Sequence, residues 1–239
     1  MSSTTDKALI VFVKAPIAEE VKSRLSPPLT QEQASQLQEA ILLDGIDQYL
    51  SVHDTHVMLC MANQNDEQYF RERFPNVPML VQEGASTGDR ISNAFYDAFS
   101  QGYRRVMLFS TDLPTLPRRS IYSGYQLLDA FDDAVVIGPT EDGGYYTIGM
   151  RMPMPDIFQG INWGRSDVYE QTIKRLCKLD ISLYVLPPWY DIDTIADVRR
   201  LDNDLYNPEF NGGILTRTKA YIQHLRDNNI IPPSRRKAK

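Results

Sequence analysis

The chain has 239 residues, of which 42% are hydrophobic and 23% are charged. This composition excludes a disordered tail protein, a collagen-like fibre and a membrane bundle, and the length suits one large domain or two small ones. The 25 Lys and Arg residues against 31 Asp and Glu residues give a net charge of −6. Such an acidic chain is not expected to bind nucleic acid or anionic membranes non-specifically.

The cysteine count and the N-terminal segment indicate the compartment. Cys60 and Cys177 are the only two cysteines, too few for a secreted disulfide framework, and we expect both to be reduced, buried thiols. The apolar run at residues 8–13 is too short for a signal peptide and has no cleavage-like pattern after it. The expected location is therefore the cytoplasm, with no membrane span.

Apolar runs alternate with helical patterns along the chain, which predicts βαβ units and a mainly parallel sheet. Most of these runs are apolar throughout, as in strands that helices cover on both faces. The predicted strands are Leu9–Val13, His56–Met61, Met79–Gln82, Val106–Ser110, Ala134–Gly138, Tyr145–Met150 and Leu183–Leu186.

Capping residues mark where the predicted helices begin. The starts are Thr30 with Gln33, Ser86 with Asp89, Ser166, and Thr194 with Asp197. The first of these helices reaches about Leu50, and a last helix is expected around 214–225. No repeat or linker interrupts the chain, so we predict a single α/β domain over residues 1–230 and a basic flexible tail over residues 231–239.

Ligands of open α/β sheets bind beyond the carboxyl ends of the strands, so the residues after each strand are the first candidates for a site. The first strand leads into a loop with three cations, Lys14, Lys22 and Arg24. Arg can neutralise a phosphate by a bidentate fork and Lys can do so as a point charge. The alternative is a solvated charged loop, and the missing glycines exclude a P-loop.

Carboxylates follow two later strands. Asp112 comes after the fourth strand and suits a divalent cation, although it could equally cap a turn or a helix. Asp191 and Asp193 precede the helix that begins at Thr194, and in extended backbone they share one face. Because paired carboxylates repel unless a cation or a shared proton intervenes, a metal is the simplest explanation for them.

Two adjacent glycines, Gly143 and Gly144, precede the sixth strand and present Asp142 at the mouth of the sheet. Glycines let the backbone approach a ligand closely or adopt a positive φ. An ordinary Asp-Gly hairpin turn explains the same residues. Trp163 either stacks on a sugar ring or packs against the core.

In this combination and order, from about Leu9 to Leu201, the sequence resembles a known family. It is similar to the bacterial GT-A-type glycosyltransferase family that includes arsenosugar-biosynthesis glycosyltransferases. The motifs that carry the resemblance are Lys14-Ala15-Pro16, Val21-Lys22-Ser23-Arg24-Leu25, Ser110-Thr111-Asp112-Leu113-Pro114, Gly138-Pro139, Asp142-Gly143-Gly144-Tyr145-Tyr146, Asn162-Trp163, and Asp191-Ile192-Asp193-Thr194 with Asp197.

The resemblance implies a GT-A fold, which is a Rossmann-like three-layer α/β sandwich of the nucleotide-diphospho-sugar transferase superfamily. It also implies Mg²⁺ or Mn²⁺, with Asp112 and Asp193 as metal ligands. The other residues that it suggests for the site bind phosphate or substrate, namely Lys14, Lys22, Arg24, Arg90, Gly143, Gly144 and Trp163. Asp142 is the candidate base or ligand of the acceptor hydroxyl, and Asp191 is the second candidate catalytic carboxylate.

The expected function is transfer of a sugar from a nucleotide-diphosphate donor to a small acceptor. A nucleotidyltransferase, in which a phosphorylated molecule attacks an NTP and releases pyrophosphate, is the first alternative. A nucleotide-sugar-binding protein without turnover is the second alternative. It is suggested by two departures from the family pattern, Glu19 where a glycine is usual and Ala85-Ser86 where a Gly-Asp pair is usual.

Overall fold

A seven-stranded sheet organises the protein, of which the computed structural model describes residues 5–16, 23–206 and 215–231. The strands are β1 (Lys7–Val13), β2 (His56–Met61), β3 (Met79–Val81), β4 (Arg105–Phe109), β5 (Val135–Pro139), β6 (Tyr145–Met150) and β7 (Leu183–Val185). Each predicted strand is confirmed to within two residues at its ends. Their order in the sheet is β3-β2-β1-β4-β6-β5-β7.

Helices follow most of the strands. They are α1 (Gln31–Leu50), α2 (Glu67–Arg73), α3 (Thr87–Ser100), α4 (Arg118–Ala130), α5 (Val168–Lys178), α6 (Ile195–Leu205) and α7 (Thr216–Asp227). The capping boxes predicted for α1, α3 and α6 are confirmed, because in each one the two residues exchange hydrogen bonds. The predicted start of α5 at Ser166 is wrong, because the helix begins at Val168 and Asp167 is the residue directly before it. Helices α2 and α4 were not predicted.

The chain is divided into two compact units. The first consists of the described parts of Met1–Lys14, Tyr49–Ser110 and Arg119–Trp189, and it contains the whole sheet. The second consists of the described parts of Ala15–Gln48, Thr111–Arg118 and Tyr190–Lys239, and it contains α6, α7 and α1 as far as Gln48. The expectation of one domain over residues 1–230 remains a prediction, and nearly all of the predicted tail lies outside the described residues.

Strand direction within the first unit determines where its loops lie. Strand β6 is antiparallel to both of its neighbours, β4 and β5. The other neighbouring strands run parallel to each other, namely β1 with β2, β1 with β4, β2 with β3, and β5 with β7. The carboxyl ends of all the parallel strands therefore meet at one edge of the sheet. Lys14, Ser110 and the turn at 140–144 lie at this edge, which is where an α/β sheet binds its ligands.

The core of the first unit covers both faces of the sheet, which explains why its strands are apolar throughout. Val106 and Leu108 of β4 pack on one face with residues of α3 and α5. Met107, which alternates with them, packs on the other face against Gly124 of α4, where a Cβ would lie 2.4 Å from the Met107 Cε. A glycine at position 124 thus lets the α4 backbone approach the sheet.

Tyr125 anchors α4 to the sheet, because its buried hydroxyl donates a hydrogen bond of 2.8 Å to the Ala8 carbonyl oxygen of β1. Tyr125→Phe should lower the free energy of unfolding by about 1 kcal/mol, since it removes this bond and leaves the packing unchanged. Chemical denaturation measures the difference. Tyr122→Phe, at a 38% exposed position of the same helix, should change stability by much less.

In the second unit, buried carboxylates hold α7. Asp44 of α1 is 1% exposed and accepts hydrogen bonds from the Thr218 N–H at 2.8 Å and the Arg217 guanidinium at 3.1 Å. Asp202 of α6 is 2% exposed and pairs with Arg226 at 2.9 Å. Burial raises the pKa of Asp202, and Arg226 opposes that rise. Each end of α7 therefore supplies an arginine to a buried acid on another helix.

The two cysteines differ in exposure. Cys60 is buried in the core, and burial raises the pKa of its thiol to about 12, so it is an inert packing residue. Cys177, in the last turn of α5, is exposed, and the expectation that both thiols are buried is wrong for this residue. Among the described residues, no helix has the length and hydropathy needed to cross a membrane.

Candidate active site

The acidic segment before α6 is the first component of the candidate site. Ile192 is 3% exposed, whereas Asp191 and Asp193 on either side of it are half-buried. Asp191 and Asp193 each have a carboxylate oxygen within 4.8 Å of the other. The alternation expected of extended backbone thus turns Ile192 into the core and brings the two carboxylates together.

Helix α6 fixes the orientation of this segment. Asp197, the third residue of α6, accepts hydrogen bonds from the Thr194 N–H at 2.8 Å and the Asp193 N–H at 3.2 Å. On the other side, the Tyr190 hydroxyl donates to Asp204 at 2.5 Å, and the Arg200 guanidinium lies 3.7 Å from the centre of the Tyr190 ring. Burial raises the pKa of Tyr190 well above its usual range, so the hydroxyl stays protonated and can donate.

The loop that carries Asp112 adjoins the acidic segment in the second unit. The Asp112 carbonyl oxygen accepts a hydrogen bond of 3.0 Å from the Ile192 N–H. The loop is fixed by buried Leu113 and Leu116, and the Gln48 side-chain amide donates to the Leu116 carbonyl oxygen at 2.5 Å. The Asp112 backbone, far away in the sequence, therefore bonds to the residue directly before Asp193.

These carboxylates suit a divalent ion. Two oxygens no more than 4.8 Å apart can both reach an ion at the distances of about 2.0–2.6 Å typical of Mg²⁺ and Ca²⁺. Half-buried like charges repel each other, and a cation removes that repulsion. Oxygen is also the donor that Mg²⁺ and Mn²⁺ prefer. The Asp191 and Asp193 pair thus fits the metal implied by the sequence, whereas of the predicted ligand Asp112 only the backbone carbonyl is shown to contact this segment, and its carboxylate is not part of the group.

The turn at residues 140–144, called the glycine turn from here on, is the component of the candidate site that lies in the first unit. It connects β5 to β6 as a hairpin, and Gly143 has a φ of +93°, which explains the glycine there. The exposed Asp142 carboxylate accepts from the Thr140 hydroxyl at 2.5 Å and from the Gly144 N–H at 3.1 Å. Asp142 therefore shapes the turn that presents it, and the hairpin interpretation holds for these residues.

A loop from the same unit packs tightly against this turn. A Cβ on Gly143 would lie 1.7 Å from the Ser166 carbonyl oxygen, and the Gly143 carbonyl oxygen accepts from the Tyr169 N–H at 2.9 Å. Trp163 in this loop is half-buried, and its ring lies edge-on to Tyr145. Its role as a substrate contact stays a prediction.

The predicted cations are distributed over both units. Lys14 is exposed at the end of β1, and Arg90 on α3 donates from Nε to the Gly84 carbonyl oxygen at 3.3 Å, both in the first unit. Arg24 is exposed in a 3-10 turn of the second unit. Lys22 and Glu19 lie outside the described residues. The phosphate-binding role of these cations remains a prediction.

Sequence reasoning missed the side chains that support the site. Gln48 and Asp44 are polar and buried on α1, one turn apart, and Gln48 holds the loop of Asp112. Two polar residues four positions apart on the apolar face of a helix were the available signal. Asn93 on α3 similarly donates to the Glu83 carbonyl oxygen at 2.9 Å and holds the loop after β3.

Comparisons with solved structures show what the chain is similar to. It is 29% identical to a protein from Desulfovibrio desulfuricans G20 described as a "putative nucleotide-diphospho-sugar transferase", with a TM-score of 0.85, over 95% of this chain and 97% of that one. A cytidylyltransferase from Leptospira borgpetersenii is 12% identical, with a TM-score of 0.55 and 98% of each chain covered.

A further solved neighbour is 4-diphosphocytidyl-2C-methyl-D-erythritol synthase from Anaerococcus prevotii, which is 9% identical with a TM-score of 0.54, over 92% of this chain and 98% of that one. A comparison with curated proteins found no match. These similarities confirm the predicted nucleotide-diphospho-sugar transferase fold. The 29% identity to the Desulfovibrio protein supports a transferase at a coarse level.

A family model agrees with this assignment. Residues 45–165, about half of the chain, match it, and this region contains β2 to β6, Asp112 and the glycine turn. The chain therefore belongs to the bacterial family described as "Uncharacterized protein conserved in bacteria (DUF2064)", within the GT-A-type nucleotide-diphospho-sugar transferase superfamily.

Proposed function

We propose that the protein transfers a sugar from a nucleotide-diphosphate donor to a small acceptor with the help of a divalent metal. The observation that carries the proposal is the carboxylate pair of Asp191 and Asp193 beside the backbone of Asp112. It occurs in a chain 29% identical to the Desulfovibrio protein described above. The fold supplies the nucleotide site, and the acids supply the metal ligands that a diphosphate needs.

In this proposal, Asp112, Asp191 and Asp193 hold the metal ion. A bound Mg²⁺ or Mn²⁺ supplies positive charge that stabilises a leaving diphosphate. The cations Lys14, Lys22, Arg24 and Arg90 are proposed to bind phosphate oxygens. Interactions that strengthen as charge develops on the leaving group lower the barrier rather than merely tightening donor binding.

Asp142 is proposed to act on the acceptor hydroxyl, as a base or as a hydrogen-bond acceptor. Its position supports this role, because Asp142 is exposed at the carboxyl edge of the sheet and its carboxylate is oriented by hydrogen bonds from Thr140 and Gly144. Gly143 packs against the Ser166 backbone instead of lying open. Trp163, in the same loop as Ser166, is proposed to offer a ring face or edge for a sugar.

A nucleotidyltransferase is the second candidate, because the Leptospira cytidylyltransferase and the Anaerococcus diphosphocytidyl-methylerythritol synthase share the fold, with TM-scores of 0.55 and 0.54. Their identities of 9% and 12% carry the fold and no more. The alternative of a nucleotide-sugar-binding protein without turnover was suggested by Glu19 and by Ala85-Ser86, and the second of these departures is weaker support in the structure. Ser86 has a structural use here, since its hydroxyl accepts from the Asp89 N–H and begins α3.

The reaction products distinguish these functions. The protein should be incubated with Mn²⁺ or Mg²⁺ and a panel of UDP-, GDP- and dTDP-sugars with small hydroxyl acceptors, and separately with NTPs and sugar phosphates. We expect release of a nucleoside diphosphate that depends on metal. Pyrophosphate release from NTPs would establish the nucleotidyltransferase instead, and donor binding without any product would establish a binding protein. Asp112→Ala is the control for a contaminating enzyme.

A further inference from the structure

The Asp197 carboxylate makes more contacts than a helix cap requires. In the capping box of α3, Asp89 accepts from the N–H of Ser86, the residue before the helix, at 2.9 Å. In α6, one oxygen of Asp197 accepts from the Thr194 N–H at 2.8 Å, the Thr194 hydroxyl at 2.8 Å and the Asp193 N–H at 3.2 Å. The additional bond to Asp193 reaches into the acidic segment itself.

That additional bond fixes the peptide plane before Asp193. The preceding peptide is fixed too, because the Ile192 N–H donates to the Asp112 carbonyl oxygen at 3.0 Å. Consecutive peptide planes that are both held leave little freedom for the backbone that orients the Asp191 and Asp193 carboxylates. Two like charges within 4.8 Å of each other repel, and a fixed backbone limits how far their carboxylates can move apart.

We propose that Asp197 is a positioning residue that orients the Asp191 and Asp193 carboxylates for a divalent ion without ligating it. This inference rests on the metal-binding part of the proposed function. The bonds that Asp197 accepts come from the backbone and hydroxyl of the segment, so it acts through Asp193. Groups that orient metal ligands in this way typically contribute 10-fold to 100-fold to metal affinity.

The test is Mn²⁺ affinity, measured by electron paramagnetic resonance or calorimetry in the absence of any donor. Asp197→Ala should weaken Mn²⁺ binding by about 10-fold to 100-fold. Asp197→Asn should stay near the wild-type affinity, because its amide oxygen can accept the same hydrogen bonds. If Asp197→Asn loses as much affinity as Asp197→Ala, the charge of Asp197 acts on the ion directly and the positioning role is overturned.

Thr194→Val is the matched control for the loss of the helix cap. Valine removes the hydroxyl that caps α6 but leaves Asp197 bonded to both backbone amides. Mn²⁺ affinity should therefore stay within about threefold of wild type, while the midpoint of thermal unfolding shifts to a lower temperature. An affinity loss equal to that of Asp197→Ala would show that only the cap matters. Should Asp197→Ala fail to fold, Asp197→Ser gives the same readout, because a serine hydroxyl is too short to reach all three donors.

The two proposals fail in different ways. Wild-type protein that binds no Mn²⁺ overturns the metal site and, with it, the positioning role. Wild-type protein that binds Mn²⁺ while Asp197→Ala binds it equally well overturns the positioning role alone. A sugar-transfer assay that gives no product leaves the Mn²⁺ measurement interpretable, because the affinity is read without substrate.

Discussion

Asp193→Asn is expected to weaken Mn²⁺ binding by at least about 100-fold and to reduce sugar transfer by a similar factor. Asparagine keeps the size of the side chain and one oxygen, but it removes the negative charge that attracts the ion. The half-buried position of Asp193 makes that charge more effective than one in bulk water, because the surrounding dielectric constant is lower. Calorimetric titration with Mn²⁺ and initial rates of nucleoside diphosphate release measure the two effects.

The matched control is Asp47→Asn, which makes the same chemical change at an exposed carboxylate of α1 that pairs with Arg217. This variant should bind Mn²⁺ as the wild type does, because a surface ion pair contributes little. Equal Mn²⁺ affinities for the two variants would contradict a metal site at Asp193. Asp191→Asn should resemble Asp193→Asn, since their oxygens lie within 4.8 Å of each other.

Gly143→Ala is expected to lower the free energy of unfolding by about 2–5 kcal/mol. Two costs combine. The φ of +93° is unfavourable for alanine, and the new methyl group would lie 1.7 Å from the Ser166 carbonyl oxygen, a backbone atom that cannot move aside alone. The turn and the loop of Trp163 would have to separate, so transfer activity should fall as well. Chemical denaturation and the transfer assay measure these losses.

Gly102→Ala separates the two costs. Gly102 has a φ of +92°, but a methyl group at this position would meet no heavy atom within 4 Å, so its substitution carries the backbone cost alone, about 1–2 kcal/mol. The difference between the two variants gives the cost of the contact with Ser166. If both variants lose the same stability, the close packing of the turn against its neighbouring loop is not as tight as the distances indicate.

The strands and several helix starts could be predicted from the sequence because each leaves a local signal. An apolar run of five or six residues between helical patterns marks a buried strand, and a Thr or Ser three residues before an acid or Gln marks a helix start. Helices without such a signal were missed. The residue before α2 makes no side-chain capping bond, and Arg118 begins α4 without a Ser, Thr, Asp or Asn directly before it.

The candidate site was predictable where it depends on local geometry. Alternation along an extended segment correctly predicted that Asp191 and Asp193 share a side. The contacts that fix this segment were not predictable, because the hydrogen bond from Ile192 to Asp112 and the one from Gln48 to Leu116 join residues far apart in the sequence. A sequence pattern identifies the acids, but the folded chain determines how firmly they are held.

The arginines of α7 have a consequence for shortened versions of the protein. If the chain ended before residue 215, the carboxylates of Asp44 and Asp202 would lose their arginine partners in α7. Both carboxylates are almost fully buried in the complete fold. An uncompensated charge in such surroundings costs several kcal/mol. Helix α7 therefore supplies the positive charge that compensates the buried acids of its own unit. Truncation studies should retain the chain through Ile231.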